Sequence, residues 1–452
     1  MRDVSGLIKA YDVRGVVPDE LDEDLARDIG RCFGALIAPA PAVVIGHDMR
    51  ETGAGLSAAF AEGVLAQGID VIRIGLASTD QLYFASGKLD VPGAMFTASH
   101  NPAKYNGIKM CYAGAKPVGQ DTGLNQIKEW LTAGTVPAVE TGKTGTARDQ
   151  DMLTAYAEHL HSLVDLRAIR RLKVVVDAGN GMGGHTAPAV FKGLPLDIVP
   201  MYFELDGSFP NHEANPIEPA NVADLRERVV AEKADIGLAF DGDADRCFVI
   251  DELGQIVSPS TITALVAARE LRREPGSTII HNCITSRAVP EIVRELGGTP
   301  VRTRVGHSFI KAEMARTGAI FGGEHSGHFY FRDFWKADSG MLAALHTLAA
   351  LGEQPGTLSE LLAQYNRYPA SGEINSTVSD PQAVIARVEE HYTGQDGVEI
   401  DHLDGLTVSH RDWWFNLRAS NTEPLLRLNA EASDRPTMER VRDEALALIK
   451  KD

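Results

Sequence analysis

Ile236-Gly237-Leu238-Ala239-Phe240, followed at once by Asp241-Gly242-Asp243-Ala244-Asp245-Arg246, is an apolar run that ends in three alternating carboxylates. A five-residue run without a polar member suits a strand covered on both faces, as in a parallel sheet. The pattern recurs: Val43-Val44-Ile45 ends in Gly46-His47-Asp48, and Val174-Val175-Val176 ends in Asp177-Ala178-Gly179-Asn180-Gly181. Helical patterns over residues 56–67, 222–232 and 260–273 intervene. Strand and helix alternating in this way predict an α/β fold with mostly parallel sheets. Ligands of such sheets sit beyond the carboxyl ends of the strands, where these polar turns fall.

A length of 452 residues predicts about three domains on a soft prior, with two or four also allowed. Hydrophobic residues at 44% and charged residues at 23% are an ordinary globular balance. The net charge of −18 argues against a general polyanion-binding surface, so no nucleic-acid partner is expected. A single phosphate is still admissible, because a pocket needs only a few placed cations. Cys32, Cys111, Cys247 and Cys283 are widely spaced with no Cys-x-x-Cys pair, which predicts buried thiols in a reducing compartment. Arg2, Asp3 and Lys9 interrupt any apolar leader, and the longest apolar stretch, 341–351, contains His346 and is too short to span a bilayer. The expectation is a soluble cytoplasmic protein with no membrane partner. Breaks in character fall in the Thr/Gly-rich stretch 134–148, near Gly254, and at Tyr368-Pro369-Ala370-Ser371-Gly372. Beyond the last, Trp413-Trp414-Phe415-Asn416-Leu417-Arg418 and residues 425–428 read as antiparallel strands before a closing helix.

Four polar loops carry the chemistry. In Thr97-Ala98-Ser99-His100-Asn101-Pro102, Pro102 turns the chain and presents one serine hydroxyl, either as an ordinary turn or as a carrier of a covalent group. The triplet Asp241, Asp243 and Asp245 crowds three like charges, which calls for a divalent cation such as Mg²⁺. An EF-hand is excluded because Arg246 stands where that loop needs Gly and a strand precedes the loop. A phosphatase with an aspartate nucleophile stays open. Gly322-Gly323-Glu324-His325-Ser326-Gly327-His328 offers hydroxyl-binding groups and a proton-trading imidazole, or is a solvated glycine turn. The neighbouring Tyr330, Phe331, Phe334 and Trp335 read as packing. Arg418-Ala419-Ser420-Asn421-Thr422-Glu423-Pro424 is a good cradle for a dianionic phosphate, or a turn between strands.

Together and in this order, the four loops resemble those of the α-D-phosphohexomutase family, in its phosphomannomutase/phosphoglucomutase branch. The resemblance runs from Lys9-Ala10-Tyr11-Asp12-Val13-Arg14-Gly15 to the Arg418 loop. It implies three similar α/β domains with mixed, mostly parallel sheets and a smaller C-terminal α+β domain, around a central cleft. The corresponding divisions are 1–143 with the phosphoserine loop, 144–252 with the metal loop, 253–367 with the sugar loop and 368–452 with the phosphate loop. Ser99 then corresponds to the phosphorylated serine, and Asp241, Asp243, Asp245 and a Ser99 phosphate oxygen to the Mg²⁺ ligands. Glu324 and Ser326 correspond to the sugar-contacting pair, and Arg418, Ser420, Asn421 and Thr422 to the distal phosphate loop. Lys109, in Tyr105-Asn106-Gly107-Ile108-Lys109, is a general acid/base candidate, and Arg14, Arg246, His307 and His328 match other cleft positions. Ile284 departs from the pattern, where a substrate-contacting lysine is expected, and His325 fills a variable position of the sugar loop.

The implied reaction moves a phosphoryl group between the 1- and 6-positions of a hexose. It runs through phospho-Ser99 and a hexose 1,6-bisphosphate, with a small sugar phosphate as the partner and a monomer or homodimer as the assembly. Mannose is the first-choice sugar, with glucose next. The rivals are a phosphoglucosamine mutase, a metal-dependent phosphatase using Asp241, and a non-catalytic sugar-phosphate sensor.

Overall fold

The computed structural model describes residues 4, 6–136, 138, 142–419 and 425–450. The chain falls into two compact units, residues 1–259 with 326–359, and residues 260–325 with 360–452.

In the first unit, the apolar runs become buried parallel strands. Gly93–Phe96, Ala42–His47 and Asp70–Leu76 lie side by side in parallel, and Ala147–Asp149 adds to the edge. The sheet is mixed, because Tyr105–Tyr112 returns antiparallel to Gly93–Phe96, and Val13–Val16 pairs antiparallel to that return strand. The same plan recurs in the second sheet. Leu172–Asp177 lies between Leu196–Met201 and Ile236–Phe240, all parallel, and Cys247–Asp251 then returns antiparallel. Phe240 pairs with Cys247, so Asp241 to Arg246 form the tip of a tight hairpin. Helix Gly340–Gly352 packs against Cys247–Asp251 and is buried on every side, which accounts for the unbroken apolar stretch in the sequence.

In the second unit, Thr278–Asn282 pairs in parallel with Thr299–Thr303 and Phe321–Gly323. The C-terminal sheet is antiparallel, in the order Ala370–Thr377, Leu425–Ala432, Trp413–Ala419, Leu406–Ser409, Glu399–Asp401. Phe415, Leu417, Leu426 and Leu428 form one face of it and pack with Val388 and Val441 of helices Pro381–Tyr392 and Arg435–Ile449. Strand periodicity places Asn416, Arg418, Arg427 and Asn429 on the opposite, polar face.

All four cysteines are free and buried. Tyr330, Phe331 and Phe334 are buried packing residues. Among the described residues no helix is long and apolar enough to cross a membrane.

Candidate active site

Ser99 lies in the connection between Gly93–Phe96 and the return strand. Its backbone is left-handed, with φ +50°, a conformation that costs a residue with a side chain and has to be held by its surroundings. Arg50 holds it. Its Nη1 donates to the carbonyls of Pro102 and Tyr105 at 2.9 Å each, and its Nη2 to those of Ser99 at 3.0 Å and Asn101 at 2.6 Å. The buried Asp48 carboxylate stands 3.3 Å from Arg50 Nε and supplies the counter-charge. From the other side, Gly242 backs onto the turn so closely that a Cβ there would lie 2.4 Å from the Ser99 carbonyl oxygen.

This clamp points the Ser99 hydroxyl at the acidic hairpin, where it donates to Asp241 Oδ2 at 2.9 Å. Arg246 Nε donates to the same oxygen at 2.8 Å, and Arg246 Nη2 is 3.5 Å from Ser99 Oγ. His100 Nδ1 is 3.2 Å from that hydroxyl. Burial, reinforced by Arg246 and Arg14, pushes the His100 imidazole well below its ordinary pKa, so it is neutral at pH 7. Arg14 reaches the turn from the neighbouring strand and donates to Asn101 Oδ1 at 2.5 Å.

Lys109 is opposite Met95 in the sheet register, and its Nζ donates to Asp243 Oδ2 and Asp245 Oδ2 at 2.7 Å each. Burial opposes its charge, but the two carboxylates outweigh burial and hold the ammonium well above its ordinary pKa. Burial works against charge on Asp243 too, yet Lys109 and the Thr79 hydroxyl, which donates at 2.6 Å, keep it well below the usual carboxylate range. Asp241 goes the other way. Burial pushes it up to about 7, with Arg246 pulling it down and the Asp245 and Asp243 charges pushing it up further.

One carboxylate oxygen from each of Asp241, Asp243 and Asp245 lies within a 4.8 Å group. Asp243 Oδ1 and Asp245 Oδ1 are buried and accept no hydrogen bond. Such orphaned anionic oxygens are costly unless a cation meets them, and an all-oxygen donor set suits a hard divalent ion. The residues present therefore fit Mg²⁺. His328 stands beside the triplet, its Nε2 3.6 Å from Asp245 Oδ1 and 3.9 Å from Asp338 Oδ2, while Ser326 Oγ is 3.0 Å from its Nδ1.

The second unit carries the rest of the expected set. Glu324 is buried, and its Oε1 accepts from the Gly306 amide at 3.0 Å and from Asn282 Nδ2 at 3.2 Å. His307 follows Gly306 and opens helix His307–Thr317. Ile284 is buried, with its amide donating to Asn282 Oδ1 at 3.2 Å. Arg418 is buried on the polar face of the C-terminal sheet. Ser420, Asn421 and Thr422 lie outside the described residues.

The structure thus brings Ser99, Arg14, Lys109, the Asp triplet, Arg246, Ser326 and His328 together in the first unit. Sequence reasoning missed Arg50, Thr79, His100 and Asn282. Two of these had a signal: Arg50 follows the strand end Gly46-His47-Asp48 by two residues, and His100 stands next to Ser99 in the serine loop itself.

Four domain models describing phosphoglucomutase/phosphomannomutase match the chain. They are the alpha/beta/alpha domains I over residues 6–136, II over 154–254 and III over 258–368, and the C-terminal domain over 373–448. A phosphomannomutase of Salmonella montevideo is 41% identical over 449 residues, covering 98% of each chain. A Xanthomonas campestris protein named phosphohexose mutases is 43% identical over 425 residues, covering 94% of each. A solved phosphoglucomutase/phosphomannomutase family protein from Burkholderia thailandensis superposes with a TM-score of 0.89 at 34% identity, over 99% of this chain and 98% of that one.

Proposed function

The chain belongs to the phosphoglucomutase/phosphomannomutase family, and on that premise we propose that it is a phosphohexose mutase interconverting hexose 1- and 6-phosphates, with mannose phosphates its first substrates. The observation that carries the mechanism is the Ser99 hydroxyl, 2.9 Å from Asp241 and clamped against the acidic hairpin.

Ser99 Oγ carries the phosphoryl group in the resting enzyme. The free hydroxyl of a bound hexose monophosphate attacks that phosphorus, the Ser99 O–P bond breaks, and a hexose 1,6-bisphosphate forms. The bisphosphate turns over, Ser99 attacks the other phosphate, and the isomeric monophosphate leaves. Arg246, near both Ser99 Oγ and Asp241, neutralises charge on the group in flight. The neutral form of His328 takes the hydroxyl proton at Nε2, with Ser326 fixing the ring through Nδ1. Lys109, held as an ammonium, keeps the triplet together. Arg14 orients the serine turn through Asn101. Asp241, Asp243 and Asp245 would hold Mg²⁺, which when bound supplies positive charge against that developing on the transferred phosphoryl. Glu324 and His307 select the sugar, and Arg418, with Ser420, Asn421 and Thr422, holds the phosphate that is not reacting. Four free buried thiols support a cytoplasmic setting.

The test is turnover of mannose 1-phosphate, then glucose 1-phosphate, primed with a trace of the matching bisphosphate. Ser99→Ala is expected to lose at least about 1,000-fold in kcat, since it removes the group that carries the covalent intermediate. Phosphate labelled onto the resting protein should be acid-stable and map to Ser99. A hydroxylamine-labile label on Asp241, or no turnover of either sugar phosphate, overturns the reading.

A further inference from the structure

Resting on that reading and deepening it, we infer that Arg427 is a second guanidinium of the distal phosphate site, and that Glu373 occupies the pair as a stand-in for the phosphate. Arg418 and Arg427 are direct cross-strand partners in the antiparallel pair Trp413–Ala419 and Leu425–Ala432. Their side chains leave the same face of the sheet, opposite the apolar face that packs on the helices. Two like charges placed directly across a ladder repel and destabilise the pair unless an anion offsets them.

Glu373, on the adjacent strand Ala370–Thr377, is that anion. Its Oε2 is 3.7 Å from Arg418 Nη2, and its Oε1 is 3.6 Å from Arg427 Nη1. Both distances are ion-pair distances too long for a hydrogen bond. One carboxylate, with one negative charge, is stretched between two guanidiniums and closes on neither. The Nε of Arg418 and the Nε of Arg427 are both buried and have no hydrogen-bond partner among the described residues. Arg418 itself is more than nine-tenths buried.

A phosphate dianion corrects each of these defects. It brings two charges for two cations, and its oxygens can accept from both forks at hydrogen-bond length. The site also adjoins the sugar loop. His325, next to Glu324, lies within electrostatic reach of Glu373, which counters the effect of burial on that imidazole. A sugar held at Glu324 would thus present its far phosphate toward the arginine pair. Glu373 fills the pair when no substrate is present, so the two guanidiniums need not face each other without an anion, and it gives way when phosphate arrives.

The experiment titrates mannose 6-phosphate, and separately inorganic phosphate, into the full chain by calorimetry, alongside primed turnover of mannose 1-phosphate. The variants are Arg418→Gln, Arg427→Gln, Arg427→Lys and Glu373→Gln, with Arg435→Gln on the closing helix as a control. Arg427→Gln should weaken mannose 6-phosphate about tenfold or more, raising KM with a smaller change in kcat, as expected for a lost charged hydrogen bond. Arg427→Lys keeps the charge but loses the fork, and should fall about threefold to tenfold. Glu373→Gln should tighten both ligands about threefold to tenfold by removing the competitor. Arg427→Gln and Arg427→Lys binding within twofold of the unaltered chain, while Arg418→Gln loses tenfold, would remove Arg427 from the site. Weaker phosphate binding in Glu373→Gln would make Glu373 a prop for the arginines and overturn the stand-in. A chain that binds and turns over no sugar phosphate at all fails the mutase reading itself, a result separable from both of these.

Discussion

At the scale of single residues, the site depends on close approaches as much as on charged groups. Gly242 has a specific burden: it lets the acidic hairpin press against the Ser99 carbonyl, where a methyl group would meet oxygen at 2.4 Å. Gly242→Ala is therefore expected to push the hydroxyl off Asp241, cutting kcat at least about tenfold while costing about 1–3 kcal/mol in stability, the usual scale of overpacking. Steady-state turnover and urea unfolding check it, and unchanged turnover would mean the contact is not needed. The Asp triplet stood out in the sequence as a short local pattern with its own electrostatic cost, whereas the Ser99 turn alone read equally well as an ordinary turn and took its role from the resemblance of the four loops. Arg50, Thr79 and Asn282 did not stand out. The partners that bring them to the site are remote in sequence, Asp243 from Thr79 by 164 positions, Ser99 from Arg50 by 49 and Glu324 from Asn282 by 42, and their nearer contacts do not announce those pairings.

At the scale of elements, the α/β alternation and the ligand-bearing turns followed from the apolar runs, because a strand buried on both faces has to be continuously apolar. The antiparallel return strands were less visible. Val13–Val16 mixes Arg and Gly with Val, and Tyr105–Tyr112 contains Asn, Gly and Lys, since each must deliver polar groups to the site. Three helices are tied below the site by one buried carboxylate. Asp80 accepts from Ser78 at 2.5 Å and from Tyr156 and Ser339 at 2.6 Å each, and Ser78 and Ser339 are themselves the N-caps of Thr79–Leu89 and Gly340–Gly352. Burial pushes Asp80 up to about 6, against the pull of those three hydroxyls. A carboxyl whose folded pKa is raised favours the native state below its unfolded pKa, and that contribution is lost as pH climbs through about 6. Relative to Asp80→Asn, the unaltered chain should lose roughly 1 kcal/mol between pH 5 and pH 7, measured as the difference in urea unfolding free energies. A constant difference across that range would show that Asp80 stays in one protonation state.

At the scale of the whole molecule, a chain of net charge −18 still sets Arg14, Arg50, Lys109 and Arg246 around the serine turn and the acidic hairpin. Bound Mg²⁺ should act as a ligand of the folded state alone. At one hundred times its Kd it adds about 2.7 kcal/mol, enough to raise the melting temperature by several degrees. Chelation should abolish both the shift and the turnover, re-addition should restore both, and Asp243→Asn should show no shift. A melting temperature indifferent to Mg²⁺ in the unaltered chain would mean the triplet holds no cation.

Lys109, anchored between Asp243 and Asp245, places one of the chain's own cations inside the acidic hairpin. Together with Arg246 on Asp241, it offsets part of the hairpin's negative charge from within the chain. Asp243 and Asp245 each give one oxygen to Lys109 and keep the other free of any hydrogen-bond donor among the described residues, so the same two carboxylates would serve an amine and an ion at once.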